Sequence, residues 1–462
     1  MARTRNTKLA AVIGETGWSQ GQLAAQFVRV AAEVGATELL STKRSHISMW
    51  VLGTQPTGRA PHILCETLSR RLQRPVTNTE IGLRPPRSGV TTAPEWRVDT
   101  LTALVDLGKS DVDMERRQIL AGSAYSVAGL ALPDQSWWDE APEQGRIRPS
   151  ATGRKVGEGE VDAVREMTVF FSKRDQRRGG AHGRRSLVQY LYDDVATYLS
   201  GVFPSERIRR DLLSAAGELT YLSGWMSFDA SQHGVAQQYF TLAVRLAAEA
   251  GDAPLAGHIL RAMAHQAVDL GHPEQAVELS TASVGRKRYT LASHRERALL
   301  GVVQARSLAA AGRKKDALAV LLRAEDDLAA AQPGDDEPQR VWFFSEASLA
   351  HETACTLRDI GDLQGAQNEF RRSVRTRKAA TFSRTHAVTL GYLGTVQARQ
   401  GNVEVACNTW SRALDAMEGV HSGRARETVI TMRRVLSPFR NRGITAATEL
   451  DTRAKVMLGR VV

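Results

Sequence analysis

From Val161 onward apolar residues recur at intervals of three and four, the period of a helix with one buried face, and rarely at intervals of two. The pattern predicts helices nearly to the C-terminal end and no convincing strand. Ahead of that region, residues 1–83 read as short helices and 96–133 as one or two more. Two stretches break the pattern: "RPPRSGVTTAPEW" (84–96), rich in Pro, Gly and Thr, reads as a linker, and "DEAPEQGRIRPSATGRKVGEGE" (139–160) as a polar loop. The expected class is all-α. With 462 residues the chain is too long for one ordinary core, so two to four domains or a repeat array are expected.

The helical region repeats itself. Turns at Ser231, Gly271, Gly312, Gly361 and Gly401 are spaced by 40, 41, 49 and 40 residues. Five residues after each stands alanine (Ala236, Ala276, Ala317, Ala366, Ala406); twelve after, Ala243, Ser283, Ala324, Ser373 and Ala413; seven before, Gly224, Ala264, Ala305, Ala354 and Gly394. Nine after come Phe240, Ser280, Leu321, Phe370 and Trp410, mostly large. Antiparallel helices approach closely only where small residues face each other, and a bulky side chain beside them fills the remaining gap. Stacked helix pairs then share a continuous core. The longer interval is explained by "AQPGDDEPQR" (331–340), an acidic insertion.

Charge divides the chain unevenly. There are 61 Lys+Arg against 50 Asp+Glu, a net of +11, and residues 1–90 alone hold 12 basic and 5 acidic residues, or +7. A basic module on a nearly neutral body is the footprint of a phosphate-backbone binder. Only 10 of the basic residues are Lys, so arginine abundance by itself carries little. Three isolated cysteines, Cys65, Cys355 and Cys407, argue against a disulfide framework or zinc site and for a reducing cytoplasm. The start "MARTRNTKLAAVIG" has no long apolar run, so no export signal is expected there. "ERRQILAGSAYSVAGLALP" (115–133) imitates a twin-arginine signal, but its apolar run is shorter than the ~20 residues a bilayer needs, and it reads as an internal packing helix.

Around the turn in "LGTVQARQGNVEVACNTWSRAL" (393–414) the small, small, aromatic, small order resembles the tetratricopeptide repeats, though at a period longer than their about 34 residues. The resemblance covers roughly 205–420, with 161–204 as a helical connecting region and 421–462 as a helical cap. Near the start, "GWSQGQLAAQF" (17–27) offers Ser19 as a helix cap with Gln22 at the reciprocal position. It is followed by "STKRSHISMWVLGTQP" (41–56) and the amphipathic "HILCETLSRRLQRPV" (62–76). These elements, in this order, resemble a lambda-repressor/Cro-type helix-turn-helix. The 22 residues between Ala24 and Ile47 exceed the usual spacing, and an extended second helix is expected to absorb them. The combination, with "FFSKRDQRRGGAHGRRSLVQYLYDD" as connecting region, resembles actinobacterial regulators that join such a domain to tetratricopeptide repeats.

The resemblance implies that Ile47 and Trp50 anchor a recognition helix, while Lys43, Arg44, Ser45, His46, Ser48 and Met49 face double-stranded DNA and Gln20 a phosphate. An ordinary solvated pair is the plainer reading of Lys43 and Arg44. In the repeats, the register puts Tyr221, Trp225, Arg261, His265, Arg306 and His351 on the inner face, a candidate groove for a peptide, small-molecule or protein effector. Packing against the N-terminal region is the alternative for the same residues. "SKRDQRRGGAHGRRS" (172–186) lacks the Gly-Lys-Ser/Thr ending of a phosphate loop; it reads as a basic interhelical loop, with a second DNA-backbone or ligand contact as the alternative. No cofactor, metal or catalytic constellation is evident, so no enzyme is expected. The reading is a cytoplasmic, homodimeric DNA-binding regulator. Its rival is an interaction scaffold without DNA binding.

Overall fold

The computed structural model describes residues 5–33, 36–72, 74, 76–83, 96, 98–113, 125–148, 150–440 and 445–460. Among them there is no strand, only an isolated bridge between Lys155 and Val202. The fold is all-helical. The linker read at 84–96 lies outside the described residues except for Trp96, as do residues 115–124 of the segment read as a packing helix; of the rest of that segment, Ala128–Leu130 forms a 3-10 turn.

The N-terminal domain holds α1 (Thr7–Thr16), α2 (Gln20–Glu33), α3 (Arg44–Val51) and α4 (Ala60–Leu72). Asn6 caps α1 by accepting from Leu9 N, and Gly17 ends it in the left-handed conformation. Leu9, Leu23, Phe27, Ile47, Leu64 and Leu68 close the core between these helices. Next come α5 (Thr100–Val112) and α6 (Gln135–Ile147). The polar loop expected from residue 139 is thus helical as far as Ile147. Asp134 caps it on Trp137 N, and Trp137, Ala141 and Gly145, four apart, bury one face against the repeat helix His233–Ala250. Polar composition hid that stripe, within which Pro142 falls.

A long helix, α7 (Glu158–Arg178), then α8 (Arg184–Tyr190) continued by a π turn at Leu191–Val195, lead into the repeats. The pairs are α9 (Glu206–Asp229) with α10 (His233–Ala250), α11 (Ala253–Asp269) with α12 (Pro273–Ser283), α13 (His294–Ala310) with α14 (Lys314–Ala330), α15 (Glu346–Ile360) with α16 (Leu363–Thr376), and α17 (Ser383–Arg399) with α18 (Val403–Ala416). Helices α19 (Gly423–Arg440) and α20 (Thr445–Arg460) pack on the last pair.

All five turn residues have positive φ: 62° at Ser231, 79° at Gly271, 77° at Gly312, 96° at Gly361 and 88° at Gly401. Glycine takes this conformation without penalty, whereas Ser231 holds it with a Cβ. The fifteen small positions are all buried, and their contacts explain their size. A Cβ on Gly224 would stand 2.7 Å from the Phe240 ring, and one on Gly394 2.5 Å from Trp410 Nε1. Each pair is therefore a close-packed unit, plugged by an aromatic ring in the first, fourth and fifth, and the pairs stack as an α-solenoid.

Helix α7 closes the array. It packs against both α9 and α17, the first helices of the first and last pairs. Arg384 on α17 joins Asp175 on α7 at 3.0 Å and Asp229 on α9 at 2.8 Å. Trp342, just beyond the acidic insertion, stacks on Phe382 and donates to Ser172 Oγ at 2.9 Å.

Candidate functional site

Two places gather the residues expected to carry function. The first is α3. Its approach is set by α2, whose start is held reciprocally: Ser19 N donates to Gln22 Oε1 at 2.8 Å and Gln22 N to Ser19 Oγ at 3.3 Å. Helix α2 continues to Glu33, and a 3-10 turn at Thr37–Leu39 helps return the chain, so the long spacing is taken up by helix extension and a turn. His46 Nδ1 accepts from Lys43 N at 3.0 Å and orders the first turn of α3. Ile47, Trp50 and Val51 are buried, with the Trp50 ring 5.3 Å from Phe27. Lys43, Arg44, Ser45 and Met49 are exposed; His46, Ser48 and Gln20 are half-buried.

Ion pairing explains where the domain's charge goes. All five carboxylates in residues 1–83 are taken by three arginines: Arg59 holds Glu38 at 2.8 Å, Arg70 holds Glu33 at 2.5 Å and Glu66 at 2.9 Å, and Arg74 holds Glu15 at 2.7 Å and Glu80 at 2.6 Å. Arg71 lies over Trp18 and donates to the Thr16 carbonyl at 2.9 Å. Lys8, Arg29, Lys43 and Arg44 have no carboxylate partner among the described residues. Helix α4 faces the rest of the protein: its buried Glu66 accepts from Val127 N at 2.9 Å, and neighbouring Tyr125 stacks on His272 at the α11–α12 turn. The domain is thus attached through α4, leaving the front of α3 open to solvent.

The second place is the interior enclosed by α7 and the first helices of the pairs. Tyr221, Arg261, His265, Arg306 and His351 are all buried there, and Trp225 is half-buried. The open groove expected from the register is not what they line, because α7, the segment around Phe343 and the start of α19 occupy it. Arg306 bonds Asp269 at 2.5 Å and faces Glu352 at 3.5 Å, so its charge is used internally. Arg261 donates to Tyr221 Oη at 2.9 Å, meets His258 Nε2 at 3.2 Å and sits over the Trp225 ring. His351 Nδ1 meets Thr389 Oγ1 at 2.9 Å. Burial holds His265 and His351 well below the ordinary imidazole range, so both are neutral near pH 7.

Two adjoining cavities remain in this interior, sharing Gln176, Trp225 and Phe343 in their walls. A vestibule of about 820 Å³ lies between α7, α9 and residues 336–343. An inner chamber of about 70 Å³ is lined by Arg261, Arg377, Arg384 and Arg424 together with Asp229 and Glu352. Of its arginines, Arg377, Arg384 and Arg424 escaped the sequence reading. Each lies outside the repeat positions used as register, and only the closing of the array brings them to Arg261.

The Gly-rich basic stretch at 172–186 is a clasp. Residues 172–178 are the end of α7, and Gly179 and Gly180 pass so close to the chain that a Cβ on either would meet a carbonyl oxygen, His421 or Met226, at 2.3 Å. Gly180 N donates to Asp229 Oδ2 at 2.8 Å, and buried Arg184 pairs with Asp111. Among the described residues no group of His, Cys, Asp or Glu could hold a metal ion, and no helix is long and apolar enough to cross a membrane.

The SP15 N-terminal domain family matches residues 9–84. No curated protein matches the chain. Among solved structures, a Podosopora anserina protein described as a kinesin light chain with nearly identical TPR-like repeats is similar at 18% identity, covering 45% of this chain and 97% of that one, with a TM-score of 0.33. A Rap protein complexed with Competence and Sporulation Factor is similar at 12% identity, covering 66% of this chain and 99% of that one, with a TM-score of 0.38. The solenoid of tetratricopeptide-like pairs rests on the helix pairing described above.

Proposed function

We propose that the protein is a DNA-binding transcription regulator in which α3 reads the major groove and the enclosed repeat interior senses an effector. The observation that carries it is the division of charge in the N-terminal domain. Arg59, Arg70 and Arg74 neutralise every carboxylate, whereas Lys43 and Arg44 stand exposed and unpaired at the N-terminal end of a helix whose opposite side is core. A recognition helix offers those first residues to base edges. Arg70 and Arg71 are engaged within the domain.

Coupling has a physical path. His265 and Arg424 line the inner chamber; Arg424 also approaches Asp269 at 3.5 Å, and Asp269 and Arg306 line a further cavity whose wall includes Glu33 and Arg70 of the N-terminal domain. A ligand that displaced Arg424 would act on groups facing that domain. One small domain reads too few bases alone, so the regulator acts as a homodimer.

The test is selection of genomic DNA with the full-length protein. Enrichment of one palindromic motif with half-sites about one helical turn apart is expected. Arg44→Ala should relax specificity by about 1–3 kcal/mol. Equal binding of wild-type protein to the selected and a scrambled duplex at physiological salt defeats the reading. Met49, 41% exposed, and Leu52, 56% exposed, favour the rival, a protein-binding scaffold, and the same selection separates the two.

A further inference from the structure

The inner chamber carries more positive charge than its own carboxylates answer. Four guanidiniums and two carboxylates line it. Arg384 is paired with Asp175 and Asp229, and Arg424 with Asp269. The other two are different. Arg261, 2% exposed, bonds only the neutral groups Tyr221 Oη and His258 Nε2. Arg377, 7% exposed, donates to the Ala347 carbonyl at 2.8 Å and to Ser373 Oγ at 3.2 Å. Neither has a carboxylate in ion-pair contact among the described residues, and the buried Nε of each has no acceptor. Burial lowers the Arg377 guanidinium to about 10, so it stays charged near pH 7. Glu352 of the chamber wall faces Arg306. A buried guanidinium without a counter-charge costs several kcal/mol, which is why buried charges are ordinarily paired.

The vestibule has the opposite sign. Seven carboxylates, Glu206, Asp211, Asp252 and Glu337 among them, line it against four guanidiniums. Trp225, Trp342 and Phe343 supply aromatic walls, and the volume is that of a small-ligand site. The inner chamber exceeds the roughly 10–15 Å³ that one water needs, yet at about 70 Å³ holds a head group rather than a whole ligand.

We propose that the interior binds a small amphiphile with a single anionic group, its carboxylate or phosphate head between Arg261 and Arg377 and its apolar or aromatic body along Trp225, Trp342 and Phe343. A guanidinium donates two hydrogen bonds to such a head, and the aromatic walls take the body. The acidic vestibule disfavours a second anionic group. The proposal rests on the interior being an effector site and not on DNA binding.

The test is calorimetric titration of the full-length protein in phosphate-free buffer with acetate, 3-phenylpropionate, inorganic phosphate and chloride at equal ionic strength. Saturable one-to-one binding of 3-phenylpropionate, at least about tenfold tighter than acetate, is expected from the body contacts. A phosphate affinity above that of acetate assigns the head as phosphate, and the reverse assigns a carboxylate; either supports the site. Arg261→Gln and Arg377→Gln should each weaken binding roughly ten- to a hundredfold, the range for a hydrogen bond to a charged group, while exposed Arg375→Gln leaves it unchanged. Should the glutamine variants fail to fold, Arg261→Lys and Arg377→Lys keep the charge and should retain weakened binding. A crystal of wild-type protein soaked with selenate, a phosphate mimic, should show its anomalous peak in the chamber. Identical heats for chloride and the other anions, or no loss in the variants, overturns the proposal. A DNA motif found without anion binding sinks this site alone, and anion binding without a DNA motif sinks only the DNA reading.

Discussion

Replacing Arg384 by leucine tests whether the array is closed by α7. The guanidinium is buried and holds two carboxylates, Asp175 at 3.0 Å and Asp229 at 2.8 Å. Removing one partner of a buried ion pair costs about 3–5 kcal/mol, because the remaining charge is left uncompensated. The two carboxylates are not equally exposed to that loss. Asp229 keeps Gly180 N at 2.8 Å and Ser422 Oγ at 2.9 Å. Asp175 keeps nothing comparable, since its Oδ1 has no hydrogen bond. Burial already raises Asp175 to about 7 against the pull of Arg384. A carboxyl whose folded value lies above its unfolded one favours the folded state in acid, and that contribution is lost as pH rises through about 7. Taking Arg384 away moves this window upward. Arg384→Leu should therefore lose about 3–5 kcal/mol at pH 8 and less than half of that at pH 5.5, and adding Asp175→Asn should flatten the difference. Urea denaturation followed by tryptophan fluorescence measures it, with proteolysis of α7 as an independent readout. A loss below about 1 kcal/mol at pH 8, or the same loss at both pH values, refutes the clasp.

Gly394→Ala places a methyl 2.5 Å from Trp410 Nε1, whose ring is fully buried and already donates to the Gly391 carbonyl, so it should cost about 1–3 kcal/mol in the same denaturation assay. Acid should weaken the repeats through a second cluster. Burial alone would raise Glu296, but Arg340 at 2.7 Å and the His258 imidazole at 3.2 Å hold it at about 2, while burial lowers His258 to about 4. Both values lie below their unfolded ones, so stability present near neutrality is lost as pH falls from about 6.5 toward 2. Glu296→Gln should remove on the order of 3 kcal/mol at pH 7 and flatten the acid limb, which unfolding curves from pH 7 to 3 will check.

The repeat geometry was legible because one local rule governs it. Small residues stand five after and seven before each turn, where the two helices of a pair pack, and the turn itself has positive φ; both leave marks at fixed offsets. The cap of α2 was legible for the same reason, since Ser19 and Gln22 satisfy each other within one turn. Helix α6 was missed because a three-residue stripe, Trp137, Ala141 and Gly145, was diluted by charged neighbours and interrupted by Pro142. The inner chamber left no local mark at all. Arg377, Arg384 and Arg424 are separated in sequence from Arg261 by more than a hundred residues, and what unites them is the distance over which the array curves before α7 closes it.

Closure changes what the repeats can do. An open array presents its inner face along its length and selects a ligand by what its exposed side chains touch. Here the same side chains are buried, so on the proposed reading a ligand is selected by the cavities they line. The buried ion pairs are also shared across elements: Asp229 of α9 joins Arg384 of α17, Gly180 beyond α7, and Ser422 before α19. A displacement of any one of these strains the other three, because each contributes a bond that water cannot replace in the interior. Interiors packed this way respond by switching between discrete arrangements rather than by bending. The chamber wall is thus held by bonds that cross several elements, while the N-terminal domain is attached separately through α4 and leaves α3 facing outward.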